Sequence, residues 1–77
     1  MLILATGTRI FVAAGATDMR KGFDGLQGLV SGVLTQDPLC GHLFLFVNRR
    51  RDKLKILYGD GDGLAIWYRR LEQGTFQ

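Results

Sequence analysis

The sequence predicts a small α+β domain: a strand and one amphipathic helix, then an antiparallel β-meander, with the helix packed on one face of a small antiparallel sheet. Three observations carry that expectation. Apolar residues recur at spacings of three and four between Met19 and Leu34, as on one face of a helix. Three runs after Gly41 are rich in β-branched and aromatic residues. Charged or glycine-rich turns separate those runs closely enough to make consecutive hairpins.

Arg9-Ile10-Phe11-Val12-Ala13, bounded by Gly7 and Gly15, reads as the first strand. Thr17-Asp18 then offers an N-cap, and Met19, Phe23, Leu26, Leu29, Val30, Val33 and Leu34 form the apolar stripe of a helix ending near Gln36, with Asp37-Pro38 as the stop. Gly22, Gly25, Gly28 and Gly32 fall opposite that stripe, each costing about 0.8–1 kcal/mol relative to Ala in a helix interior. Either the stripe admits another backbone at close approach, or packing tolerates the glycines, or the helix starts after Gly22.

His42 to Val47 is continuously apolar, as for a central strand buried on both faces. Leu54 to Tyr58 pairs with it across the turn Arg49-Arg50-Arg51-Asp52-Lys53. By the two-residue period Lys53, Lys55 and Leu57 share one face of this strand, and Leu54, Ile56 and Tyr58 the other. Leu64 to Arg69 continues the meander after Asp60-Gly61-Asp62-Gly63. A helix over Leu64 to Glu72 also fits the spacing, but the cluster of aromatic and β-branched residues favours strand.

A chain of 77 residues is one domain with no room for a second core. Domains this short bury only about 60% of the surface of the unfolded chain, so self-association or a further segment would add stability. The net charge of +3 and pI near 9.5 favour a negative partner. The imbalance is local: residues 48–70 hold seven cations against three carboxylates, and five of those cations lie between Arg49 and Lys55. One cysteine, Cys40, excludes an internal disulfide and fits a reducing cytoplasm. The opening Met1-Leu2-Ile3-Leu4-Ala5 lacks a basic segment and is too short for a membrane span, so a soluble cytoplasmic protein is expected.

Catalytic and metal patterns fail on ligand counting. Counted from Asp60, a calcium loop needs Gly at its sixth position and Glu at its twelfth, where Ala65 and Leu71 stand. A tight glycine turn accounts better for those residues. Asp18 and Asp24 fall on different faces of a helix, Cys40 and His42 have no second ligand pair, and His42 lacks an orienting carboxylate and a nucleophile. No cofactor is implied. The basic turn fares better, because Arg49, Arg50, Arg51, Lys53 and Lys55 could each neutralise a phosphate. Four or five such contacts predict a salt slope of roughly −3.5 to −4.5 on duplex DNA. Tyr58, Trp67 and Tyr68 could stack on bases, although aromatics in strands more often pack in a core. A solvated turn that keeps a strand edge soluble, or one that meets an acidic protein, fits the same residues.

Thr17-Asp18-Met19-Arg20-Lys21-Gly22-Phe23-Asp24-Gly25-Leu26, Gly41 to Phe44, Arg49 to Tyr58, Asp60 to Gly63 and Trp67-Tyr68-Arg69-Arg70-Leu71-Glu72 together resemble the TnpB (second reading frame) accessory proteins of bacterial insertion sequences of the IS66 family. The resemblance keeps the order and spacing of every block. It implies a protein encoded beside a separate DDE-type transposase and a further small protein, needed for efficient transposition without being the cutting enzyme. It brings no catalytic residues. Gly59 stands where an aromatic residue is expected and Ala65 where a bulkier one is. Members of the family usually continue past the equivalent of Phe76, so the chain is expected to lack their C-terminal portion.

The expected function is therefore a non-catalytic transposition accessory protein. Arg49, Arg50, Arg51, Lys53, Lys55, Arg20, Lys21, Arg69 and Arg70 are its expected contacts to DNA or to the transposase and companion protein. A homodimeric or transposase-binding module without DNA affinity is the contrasting reading. A small nuclease using Asp18, Asp24, Asp60 and Asp62 ranks third.

Overall fold

A computed structural model describes residues 7–76; the opening Met1 to Ala5 read above lies outside the described residues except in sequence. Strand β1 (Ile10–Val12) leads to helix α1 (Phe23–Gly32), and β2 (Leu43–Val47), β3 (Lys53–Gly59) and β4 (Leu64–Arg70) follow. The four strands form one sheet in the order β1-β2-β3-β4. The α+β expectation holds, including a strand over Leu64–Arg70. One detail differs. β1 pairs with β2 in parallel, Ile10 with Leu43 and Val12 with Leu45, so the sheet is mixed. The meander β2-β3-β4 is antiparallel throughout. Crossing from β1 to a parallel neighbour needs a long connection, and α1 supplies it.

The helix is shorter than its apolar stripe. Gly22 is its N-cap without a side-chain hydrogen bond, and Thr17 and Asp18 lie in the connecting loop instead. Two bonds hold them there, one long-range and one local. The Thr17 N–H donates to the Val47 carbonyl at 2.8 Å, while the Asp18 carboxylate accepts from the Arg20 N–H at 2.9 Å. A short acceptor that folds back on its own backbone competes with helix, and here it delays the start by five residues. The other end closes with Leu34 donating to the Leu29 carbonyl and Gln36 to that of Val30, around Thr35 at φ 52°.

Leu26 and Val30 of α1 are fully buried against Phe44, Phe46 and Leu57, with Phe11, Met19, Leu29, Leu34, Leu64 and Ile66 packed around them. Each fully buried apolar side chain contributes about 1.5–3 kcal/mol. Phe23 and Val33, expected on this face, are exposed beyond the ends of the contact. Nothing lies within 4 Å of the Cβ position at Gly22, Gly28 or Gly32, so within the described residues no backbone approaches that stripe.

The helix covers one sheet face. On the other, Ile10, Val12, Leu43, Leu45, Val47, Leu54, Ile56, Tyr58 and Trp67 follow from register as a second apolar surface. No second helix or sheet lies over it among the described residues. Leu43 and Ile56 at its centre are buried by their neighbours, whereas Ile10 and Val12 are 53% and 60% exposed. β2 is therefore central, but it is fully buried only on its helix side.

Candidate functional site at the basic end of the sheet

Topology gathers the cations at one end of the domain. The C-terminal ends of β1, β2 and β4 and the start of β3 meet there, with Lys53 beside Arg70 and Leu54 beside Arg69. The loop carrying Arg20 and Lys21 reaches the same end, because Thr17 bonds to the last residue of β2. The Asp60-to-Gly63 turn closes the opposite end, so the charge is separated along the strands. That turn is the tight glycine turn expected: Asp60 Oδ1 accepts from the N–H groups of Asp62 and Gly63, and Gly61 sits at φ 97°. Among the described residues no three His, Cys, Asp or Glu side chains form a metal cluster. His42 has a structural bond, its Nδ1 accepting from the Arg9 N–H at 3.0 Å.

Asn48 builds the basic tip. Its Oδ1 accepts from the N–H groups of Asp52 at 3.0 Å and Lys53 at 2.9 Å, and its Nδ2 donates to Asp52 Oδ1 at 2.7 Å. The Asn48 carbonyl also accepts from the Arg51 N–H, closing a four-residue turn. Hydrogen bonding from the Asn48 amide holds the Asp52 carboxyl below its ordinary range, with Arg50 and Lys53 adding to the effect.

A second restraint comes from the segment after β4. The Leu71 N–H donates to the Asp52 carbonyl and the Phe76 N–H to the Arg51 carbonyl, both at 2.7 Å. Arg51 is thereby held at φ 60°, a conformation that non-glycine residues rarely adopt. The backbone of the tip is fixed while the side chains of Arg49, Arg50 and Arg51 are exposed. Fixing the backbone lowers the entropy that a binding event would otherwise have to overcome.

The nine cations expected to make contacts fall into different states. Arg49, Arg50 and Arg51 form no ion pair among the described residues. Lys21 and Arg69 are exposed, and Lys53 is half-buried at the start of β3. Arg20 is committed to Asp18 through its Nε and Nη2, and the Nη2 contact is 2.7 Å. That hydrogen bonding, reinforced by the Arg20 N–H, holds the Asp18 carboxyl at about 2. Arg70 pairs with Glu72 at 3.0 Å. Lys55 points to the helix side, where its ammonium donates to the carbonyls of Met19 and Lys21 and lies 5.0 Å from the Tyr68 ring centroid. The face expected to be cationic near the tip is thus the helix-covered face, and Lys55 ties the sheet to the loop before α1.

Sequence reasoning missed the cleft beside the tip. The Ala14-Gly15-Ala16 loop leaves β2 between the bonds of Ala13 to Leu45 and of Thr17 to Val47, and the gap between it and the arginine turn measures about 460 Å³. Phe76 is among the residues that line it. Only Asn48, an acceptor poised before a polar turn, signalled this construction in the sequence.

Fold and site define a small α+β domain that presents arginines on a rigid turn at one end of its sheet. The chain belongs to the family described as IS66 Orf2 like protein (TnpB_IS66), whose profile matches residues 8–77, and so to a group associated with insertion-sequence transposition. Two relatives come from Sinorhizobium fredii (strain NBRC 101917 / NGR234). The "Uncharacterized protein y4jC" is 43% identical over 70 residues, covering 91% of this chain and 60% of the relative. The "Uncharacterized protein y4hO" is 41% identical over 76 residues, covering 99% of this chain and 66% of the relative. The chain therefore spans less than two thirds of either relative. No solved structure matches it. Among the described residues no helix is long and apolar enough to cross a membrane.

Proposed function

We propose that this chain is a non-catalytic, cytoplasmic accessory protein of insertion-sequence transposition that contacts DNA phosphates with its basic end while the transposase and the companion small protein of the element act on the same DNA. The observation that carries this reading is the rigid turn bearing Arg49, Arg50 and Arg51, exposed and free of ion pairs among the described residues. Arginine fits phosphate in a bidentate fork, and a fixed turn positions three of them together. Lys53, Lys21 and Arg69 extend the patch, whereas Arg20, Arg70 and Lys55 already hold partners in the chain.

The test is binding to duplex DNA from an element end across a salt series, for wild type and a variant with Arg49, Arg50 and Arg51 all changed to Ala. Wild-type affinity is expected to fall steeply with salt, and the variant to lose most of the affinity and about 0.9 of slope for each phosphate contact removed. Salt-independent binding, or an unchanged triple variant, would overturn the reading.

The apolar sheet face that no described helix or sheet covers favours a second reading, a protein-interaction module formed by self-association or by docking on the transposase. Ile10 and Val12 are more than half exposed at its β1 edge, and Trp67 lies on the same face at the β4 edge. Concentration-dependent mass that Val12→Glu abolishes, with no DNA affinity in either protein, would establish this reading in place of the first.

A further inference from the structure

We infer that the cleft between the Ala14-Gly15-Ala16 loop and the arginine turn is a site for an unpaired nucleotide of a DNA strand, its phosphate on Arg49 and Arg51 and its base against Phe76. The inference rests on the DNA-contact reading above and specifies the form of DNA. The cleft lies beyond the carboxyl ends of β1 and β2, where the Ala14-Gly15-Ala16 loop leaves the ladder between the bonds of Ala13 to Leu45 and of Thr17 to Val47. Its volume of about 460 Å³ falls within the roughly 300–1,000 Å³ typical of small-ligand sites.

The lining matches one ligand chemistry. Val12, Val47 and Phe76 make apolar walls, and among the described residues the charged side chains on the cleft are the two arginines, with no described carboxylate opposing them. The N–H groups of Ala14, Gly15 and Ala16 donate to no described residue, which leaves further donors at the rim. A nucleotide supplies the complementary pair, an anion beside a flat apolar face. Base stacking on an aromatic ring tolerates any sequence, as a contact of this kind requires. A paired base stacked within a duplex cannot offer that face, so the cleft favours single strands and frayed ends.

Phe76 links the two halves of the site. Its N–H bonds the Arg51 carbonyl and the residue lines the cleft, so the aromatic residue is tied to the backbone that carries the Arg51 cation. The strap thus builds the site as well as supporting the turn.

The experiment is fluorescence anisotropy with a short labelled thymidine oligonucleotide and a mixed-sequence duplex of equal length, using wild type, Phe76→Leu, Phe76→Trp and Arg49→Ala/Arg51→Ala. Phe76→Leu keeps an apolar filler and the backbone bond, so thermal stability checks that the fold survives. Wild type is expected to prefer the single strand. Phe76→Leu should lower that affinity roughly tenfold and leave duplex affinity within about twofold, Phe76→Trp should retain it, and the double arginine variant should weaken both. Equal wild-type affinity for the two DNAs, or a Phe76→Leu effect that is absent or equal on both, overturns the inference and leaves phosphate contact standing. Displacement of the oligonucleotide by thymidine monophosphate at equal nucleotide concentration overturns its assignment to a strand. Failure to bind either DNA overturns this inference and the DNA-contact reading together.

Discussion

The Lys55 ammonium donates to the Met19 carbonyl at 2.7 Å, joining the middle of the sheet to the loop before α1 across 36 positions of chain. The same nitrogen donates to the Lys21 carbonyl and faces the Tyr68 ring. A cation inside the basic segment therefore acts as scaffold, and it differs in kind from the arginines a few residues earlier.

Lys55→Met tests that difference. The substitution keeps the aliphatic stem and removes a charged donor from two carbonyls and a ring, at a cost of about 1–2 kcal/mol. For a domain of this size that lowers the melting temperature by roughly 4–8 °C per kcal/mol. DNA affinity measured beside it should stay within about twofold of wild type. A loss as large as that of an Arg49 variant would show that Lys55 reaches phosphate instead.

Arg51 gives a prediction through backbone strain. A non-glycine residue at φ 60° carries about 1–2 kcal/mol of steric cost, which glycine escapes and a β-branched residue increases. Arg51→Gly relieves that cost but makes the unfolded chain more flexible, so its stability should stay within about 1 kcal/mol of wild type. Arg51→Val should fall below Arg51→Gly by about 1–3 kcal/mol. Urea midpoints at a constant m-value measure both, and equal midpoints for Gly and Val would remove the strain argument.

How far the sequence carried depends on the range of the interaction. Local chemistry was legible: the strands of the meander, the Asp60 turn and the choice of strand at Trp67-Tyr68 follow from the apolar run at His42 to Val47, the aromatic and β-branched cluster after Gly63 and the turn residues between. The start of α1 was not, because Asp18 looks like a cap and bonds Arg20 instead, while the Thr17 bond to Val47 spans the domain. Alternation correctly placed Lys55 with Leu57 on one face of β3, yet it could not say that α1 would lie on that face. Phe76 and Arg51 are distant in sequence, so the strap and the cleft emerge only from the fold.

Gly28 separates the two readings of the glycine stripe. It lies inside α1, and among the described residues nothing lies within 4 Å of its Cβ position. Gly28→Ala should therefore stabilise the protein by about 0.5–1 kcal/mol, by removing backbone freedom from the unfolded chain without a clash. Chemical denaturation of the dilute protein reads this directly. A gain that turns into a loss as protein concentration rises would place another chain against the stripe.

Asp18 sets part of the acid limit of stability. Its folded pKa is about 2, below the ordinary value of 3.8, first through hydrogen bonding from the Arg20 guanidinium and then from the Arg20 N–H. A depressed carboxylate contributes stability that is fully present above the unfolded value and is lost as pH falls through the folded one. Asp18→Asn keeps an acceptor for the Arg20 N–H and removes the charge, so wild type should exceed the variant by a constant margin above about pH 5. The margin should close between the two pKa values and vanish near the lower one. The pair is exposed, so added salt should shrink the margin at every pH. The Asp52 carboxyl is also depressed and remains in the variant, so both proteins should still lose stability in acid. Urea unfolding across the acid range measures the difference, and a margin that persisted undiminished at the lowest pH would assign it to the shape of the loop rather than to the charge.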